Sequence, residues 1–282
     1  MSFVEDALKF HAEHNGMLAV ASKVPLNNRE DLALAYTPGV AEPCKAIKEN
    51  KELSFEYTCR GNTVAIVSDG TRVLGLGDIG PEAAMPVMEG KAVLFKTFGD
   101  VDAIPICIDT KDPEEIIETV RRLQPTFAGI NLEDFSSPKC YEIEDRLREI
   151  CDIPVFHDDQ HGTAIACLSA VMGALRYVKK DIKEVKVVVN GCGAAGSAIG
   201  RLFVSMGFPN VIMVERVGAL YKGIDAKLDK IQRYLSDVTN PNMEKGTLAE
   251  VAKGADILVG VSGPNLFTKE IIAGMADKAI VF

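Results

Sequence analysis

Two adjacent pairs of carboxylates, Glu133-Asp134 and Asp158-Asp159, each follow an apolar, β-like run of the sequence. Such runs joined by one helical stretch read as parallel strands, whose carboxyl ends share one edge of a sheet, so the four acids converge there. Clustered carboxylates need a cation, and hard oxygen donors select Mg²⁺ or Mn²⁺ over zinc. Helix capping is the competing explanation, because Asp often starts helices. His157 and His161 have the spacing of paired zinc ligands, as in a zinc hydrolase. That motif needs both histidines on one helix, whereas residues 153–156 read as a strand running into a loop, so a structural role for each histidine is preferred.

Lys91 is a candidate base. In the helical stretch 86–98, closed by Gly99, its neighbours three and four residues away are Val87, Met88, Leu94 and Phe95, with Phe98 a turn further on. A lysine leaving an apolar face is desolvated, which disfavours the ammonium and prepares a general base near neutral pH. The alternative is a snorkelling lysine with its stem packed and its amine in water. Lys96, with Glu89 and Asp100 near it on the helix, reads as a solvated charge. Tyr36 lies in the turn-forming Ala35-Tyr36-Thr37-Pro38-Gly39 and offers a phenol, either as a proton donor or as a packing anchor. Arg72 has the fork to clamp a carboxylate bidentately, or it stands solvated.

Gly191-Cys192-Gly193-Ala194-Ala195-Gly196 is a GxGxxG turn between the strand-like run 185–190 and a helix over 194–206. Glycines there let the backbone approach a pyrophosphate at the free N–H groups of a helix start. Glu215 ends the next strand, where a carboxylate binds the adenosine ribose and repels a 2′-phosphate; this favours NAD, and Arg216 keeps NADP open. A tight turn whose glycines serve packing alone is the alternative.

These groups are positioned by an α/β chain. Runs 64–67 and 73–76 around Ser68-Asp69-Gly70 read as a hairpin. Strands at 103–108, 126–132 and 153–156 then alternate with helices from Asp112-Pro113, from about 138 to 150 and from about 162 to 178. The charged segment 179–184 marks a boundary between an α/β domain that carries the acids and Lys91, 1–180, with a largely parallel sheet, and a Rossmann-type domain, 181–282, with strands at 185–190, 211–215, 257–259 and 279–282. Residues 236–246 read as an exposed loop. At 282 residues, 47% hydrophobic and 25% charged, the chain is too rich in core formers for a disordered tail, a disulfide mini-protein or a coiled coil. The most apolar run, 164–175, is shorter than the ~20 residues that span a bilayer, and no signal peptide is visible. An odd set of cysteines without a CxxC pair suggests a reducing, cytoplasmic setting. A net charge of −9 without a basic run argues against nucleic acid.

Taken together, Tyr36-Thr37-Pro38-Gly39-Val40-Ala41, Ser68-Asp69-Gly70-Thr71-Arg72-Val73-Leu74-Gly75-Leu76-Gly77-Asp78, Glu89-Gly90-Lys91, Leu132-Glu133-Asp134-Phe135, the stretch from Phe156 to Ala164 and the glycine turn resemble the malic enzyme family, especially its short bacterial-type members. They run in order through almost the whole chain. The resemblance implies an N-terminal malic-type domain over 1–180 that binds substrate and metal, an incomplete nucleotide domain over 181–282, and oxidative decarboxylation of malate to pyruvate and CO₂ with reduction of NAD or NADP and a divalent metal. It implies Lys91 as general base, Tyr36 as general acid, Glu133, Asp134 and Asp159 as metal ligands, Arg72 as the substrate-carboxylate arginine, and Asp158 beside Lys91. Gly260-Val261-Ser262-Gly263 resembles the loop near the nicotinamide, with Asn265 as an additional cofactor contact. Family members continue past a strand like 279–282, so the chain reads as lacking a C-terminal segment. A malolactic-type enzyme and a catalytically silent nucleotide- or metal-binding protein are the alternatives. A homodimer or larger homo-oligomer is expected, with Tyr36 serving a neighbouring subunit.

Overall fold

A computed structural model describes residues 2–282. Up to residue 157 the elements are α1 (Phe3–His14), α2 (Arg29–Ala35), α3 (Ala41–Glu49), α4 (Ser54–Tyr57), β1 (Thr63–Ser68), α5 (Pro81–Gly99), β2 (Asp102–Cys107), α6 (Pro113–Leu123), β3 (Gly129–Leu132), α7 (Lys139–Ile150) and β4 (Val155–His157). Then follow α8 (Asp158–Val178), β5 (Lys186–Asn190), α9 (Ala194–Ser205), β6 (Asn210–Glu215), β7 (Gly218–Ala219), α10 (Lys230–Val238), α11 (Leu248–Val251), β8 (Ile257–Gly260), α12 (Lys269–Ala273) and β9 (Ile280–Val281). By packing, one compact unit holds the residues up to Ser136 together with Glu142–Phe156, and a second holds Ser137–Tyr141 and His157–Phe282. This division differs from a boundary at 180. The physical reason is that Ala164, Val171 and Leu175 of α8 join the core that contains Val187, Val189, Ile199 and Phe203.

The first unit is built on a sheet of order β2-β1-β3-β4, in which β1 runs parallel to both neighbours. The chain leaves β1 for β2 on one side and reaches β3 on the other. The crevice at the carboxyl ends of β1 and β3 is therefore a topological switch point, where open α/β sheets bind ligands. Ile66, Ala84, Met88, Ala92 and Ala103 form a buried cluster between α5 and its strands. The start of α6 follows its sequence signals: the Asp112 carboxylate accepts the Glu114 N–H at 2.7 Å, and Ile116, Ile117 and Val120 are buried.

Three sequence expectations change in this unit. The hairpin does not form, because β2 and β3 occupy both edges of β1. Residues 73–77 instead close on themselves through a Val73–Gly77 bridge, with Leu74 in the left-handed region and exposed. Helix α5 starts at Pro81 rather than Pro86, and Asp100, not Gly99, takes the left-handed cap. Strand β3 starts at Gly129, since residues 124–126 form a 3₁₀ turn. Among the described residues from 2 to 62 no side chain is buried, and Phe3, Leu8 and Leu34 stand exposed.

The second unit has a sheet of order β7-β6-β5-β8-β9, parallel except for β7 against β6. Its switch point lies between β5 and β8. The expected exposed loop 236–246 is corrected by the structure. Helix α10 covers its start, and Asn240 is buried at φ 52°. The Asn240 amide donates to the Leu220 and Glu244 carbonyls at 2.9 and 2.7 Å, which polar composition alone could not show. No helix among the described residues is long and apolar enough to cross a membrane.

Asp256 ties the amino-terminal side of this sheet. It accepts Lys180 Nζ at 2.7 Å and the Lys186 N–H at 2.8 Å, and its side chain is only 17% exposed. Asp256→Ala removes the acceptor of the Lys186 N–H and leaves Lys180 with the Asp277 carbonyl alone, so urea unfolding should show a loss of about 1–3 kcal/mol. A midpoint unchanged from wild type would mean that water replaces the carboxylate without cost.

Candidate active site

At the switch point of the first sheet, Glu133 continues the ladder beyond β3, its N–H donating to the Val67 carbonyl at 2.9 Å. This turns the Glu133 side chain inward, where it is 7% exposed. Lys91 Nζ lies 3.0 Å from Glu133 Oε1, and Asn131 Nδ2 donates to Glu133 Oε2 at 2.8 Å, so both oxygens are oriented. Lys91 therefore does not end in an apolar environment: its amine meets a carboxylate, while Leu94 and Phe98 of the same helix are exposed. Lys96 pairs with Asp100 and Asp102 at 2.5 and 3.1 Å, and these carboxylates hold its ammonium above the usual lysine range. Sequence reasoning missed Asn131; its one signal is a polar residue inside the apolar strand Ile130-Asn131-Leu132.

Asp134 is buried and sits at φ 58°, a region a non-glycine residue enters at a cost. Its carbonyl accepts the Arg72 N–H at 2.9 Å, which joins the loop after β1 to the loop after β3. Arg72 itself is exposed. Tyr36 caps α2 beside a cis Thr37–Pro38 bond and is 68% exposed. Two buried adjacent carboxylates at a sheet's carboxyl edge make a donor set suited to a hard divalent ion.

In the second unit α8 begins at Asp158, earlier than the expected 162, so Asp158 and Asp159 form its first turn, where negative charge suits the helix dipole. Gly162 serves Asp158 directly: a Cβ there would lie 2.0 Å from Asp158 Oδ1. His157 ends β4 and precedes α8, and its Nε2 is 3.7 Å from Asp159 Oδ2. The two histidines thus do not share a helix as HExxH zinc ligands do.

The glycine turn connects β5 to α9 as its sequence suggests. Gly191 adopts φ 116°, and a Cβ on Gly196 would lie 1.8 Å from the Gly191 carbonyl oxygen. A Cβ on Gly193 would meet nothing within 4 Å, which leaves an open cradle in front of the N–H groups of Ala194 and Ala195. Ser197 Oγ donates to the Cys192 carbonyl at 2.8 Å, and the Cys192 N–H reaches Glu215 Oε2 at 3.3 Å. Glu215 thus borders the cradle, and this geometry fits a dinucleotide. Arg216 and Asn265 are exposed, Asn265 at φ 60°.

Burial, with help from Glu215 and Asp229, pushes the Cys192 thiol far up, and burial alone raises Cys167 to about 11. A thiol with a raised pKa stays protonated and unreactive at pH 8. Maleimide at pH 8 should therefore label exposed Cys44 and Cys59 and spare Cys192, as read by peptide mass spectrometry. Equal labelling of Cys192 and Cys44 would show that the phosphate turn opens.

An α/β unit with buried acids at its switch point, followed by a dinucleotide-type sheet, defines a nucleotide-binding class of α/β protein. Comparison with known families makes this specific: residues 15–148 match the malic enzyme N-terminal domain, and 160–280 match the malic enzyme NAD binding domain. The chain belongs to the malic enzyme family. It is 49% identical over its whole length to the bifunctional malic/malolactic enzyme of Bacillus subtilis, of which it covers 69%. Over 98% of the chain it is 46% identical to the NADP-dependent malic enzyme of Escherichia coli, of which it covers 36%. The crystal structure of the NAD-dependent malic enzyme of Thermotoga maritima superposes with a TM-score of 0.95 at 47% identity, covering 98% of this chain and 74% of that one. The chain thus spans from about a third to about two thirds of the curated relatives' lengths.

Proposed function

We propose that the chain catalyses oxidative decarboxylation of malate to pyruvate and CO₂ with reduction of NAD or NADP. The observation that carries this reading is the Lys91–Glu133 pair, a partly buried amine held beside acids at the switch point of the first sheet. Glu133, Asp134 and Asp159 would hold Mg²⁺ or Mn²⁺. The acids that follow neighbouring strands β3 and β4, and their hard oxygen chemistry, support this. When bound, NAD(P) would supply a hydride acceptor and the divalent ion a Lewis acid for the substrate's C2 oxygen. Lys91, assisted by Asp158, takes the C2 hydroxyl proton as the C2 hydride leaves, which gives oxaloacetate. Arg72 grips a substrate carboxylate. The C3–C4 bond then breaks, its electron pair moves toward the C2 oxygen, and CO₂ departs; Tyr36 returns a proton to C3 to give pyruvate.

The turn from Gly191 through Cys192, Gly193, Ala194 and Ala195 to Gly196 is the proposed pyrophosphate cradle, with Asn265 an additional cofactor contact. Glu215 at the cradle supports NAD, and relatives of both cofactor types keep NADP in play. The exposed apolar residues in 2–62 support a homo-oligomer in which Tyr36 serves a neighbouring site, and mixing inactive Tyr36 and Lys91 variants should restore activity if subunits exchange. Seven free thiols support a cytoplasmic setting.

The deciding assay follows malate-dependent reduction of each nicotinamide, with and without EDTA, and identifies the product. Pyruvate, CO₂ and reduced cofactor in a metal-dependent reaction support the reading. Lactate without net NADH would favour malolactic chemistry, a second reading that the 49%-identical bifunctional relative makes specific. Absence of both products would leave nucleotide and metal binding alone.

A further inference from the structure

We propose that Thr71 is a positioning residue that locks the Arg72 loop to the acidic loop after β3; its consequence for substrate and metal rests on the roles proposed above for Arg72, Glu133 and Asp134. Thr71 is 8% exposed and stands where the chain leaves the carboxyl end of β1. Its hydroxyl donates to Asp69 Oδ1 at 2.6 Å and accepts the Ser136 N–H at 3.0 Å. Its own N–H donates to the same Asp69 oxygen at 3.1 Å. One hydroxyl is thus used as donor and acceptor at once. Because Asp69 takes the hydroxyl proton, a lone pair is left to face Ser136, and the two bonds reinforce one another.

The next peptide makes the second rung, from the Arg72 N–H to the Asp134 carbonyl at 2.9 Å. The two rungs cross between loops that are 65 residues apart in sequence and bracket Asp134 and buried Phe135. Asp134 is the residue held at φ 58°, a conformation that persists only where its surroundings enforce it. An apolar side chain at 71 removes one rung and leaves the Ser136 N–H without its partner. The acidic loop can then relax, and the base of Arg72 moves with it. Valine keeps the shape of threonine and deletes only the hydroxyl, whereas serine keeps the hydroxyl and deletes only the methyl.

The test compares Thr71→Val and Thr71→Ser with wild type by amide hydrogen exchange, calorimetric titration of Mn²⁺ alone, and steady-state kinetics. For Thr71→Val the expected results are exchange in 133–136 faster by about tenfold, and Mn²⁺ affinity and malate KM each worse by about tenfold, with the KM for NAD unchanged. Thr71→Ser should restore all of these. Unchanged exchange in Thr71→Val overturns the proposal. So does an equal loss in Thr71→Ser, which would assign the effect to methyl packing, and so does global unfolding of Thr71→Val or a matching rise in the KM for NAD. If wild-type protein neither binds Mn²⁺ nor turns over malate, the functional reading falls, and the exchange comparison still decides whether Thr71 locks the loops.

Discussion

Replacing Lys91 by alanine is expected to lower malate-dependent nicotinamide reduction by about a thousandfold, the middle of the range for removing a positioned acid or base. Lys91 leaves the middle of α5, a long helix that fixes its backbone, and its amine is 3.0 Å from Glu133 Oε1. Alanine also strips a buried carboxylate of its cation, so lost activity alone would not separate proton transfer from electrostatics. Lys91→Arg makes that separation. A guanidinium restores the positive charge beside Glu133 but does not release its proton near neutrality, so it cannot serve as the base. Both variants should be inactive, and both should bind NADH like wild type in a fluorescence titration, because the glycine turn lies in the other unit. An arginine variant with near-normal turnover would reduce Lys91 to a charge that orders Glu133, and the base would have to be sought elsewhere.

What the sequence made legible was local. The Asp112-Pro113 start of α6, the glycine turn after β5 and the apolar runs of β1, β5, β6 and β8 each carry their signal within a few residues. Pairing was not local. Residues 73–76 have the composition of a strand, yet a strand exists only where an edge is free, and β2 and β3 had already taken both edges of β1. Likewise Asn240 sits in a polar run that reads as solvent-exposed, and the distant Val211 and Leu220 carbonyls, which accept its backbone and side-chain N–H groups, explain why it is buried. In the candidate site the acids, Lys91 and Arg72 are legible by residue type. The groups that aim them are not. Asn131 meets Glu133 two residues further along the chain, a contact its residue type alone does not announce, and Thr71 is an ordinary residue whose partner Ser136 comes within reach only once β1 and β3 are side by side. Lys91 shows the same limit in reverse: its helical neighbours are apolar, while the group that meets its amine comes from a different element.

The second and third glycines of the phosphate turn should separate binding from stability. At Gly196 an added Cβ would lie 1.8 Å from the Gly191 carbonyl oxygen and 2.8 Å from its carbon, both backbone atoms that cannot swing aside. Gly196→Ala must therefore push α9 away from the end of β5, and urea unfolding should show a loss of about 3 kcal/mol, the upper part of the range for overpacking. At Gly193 the backbone, φ −75° and ψ −165°, suits any L-residue, and a Cβ meets nothing within 4 Å. Gly193→Ala should leave stability within about 0.5 kcal/mol of wild type. The space that a methyl group would fill is the space a pyrophosphate needs to reach the N–H groups at the start of α9, so NADH affinity should fall about a hundredfold. The contrast excludes the packing-only explanation of this glycine motif, under which Gly193 would be free to change. Wild-type NADH affinity in Gly193→Ala would place the dinucleotide elsewhere, and with it the hydride acceptor that the proposed reaction needs.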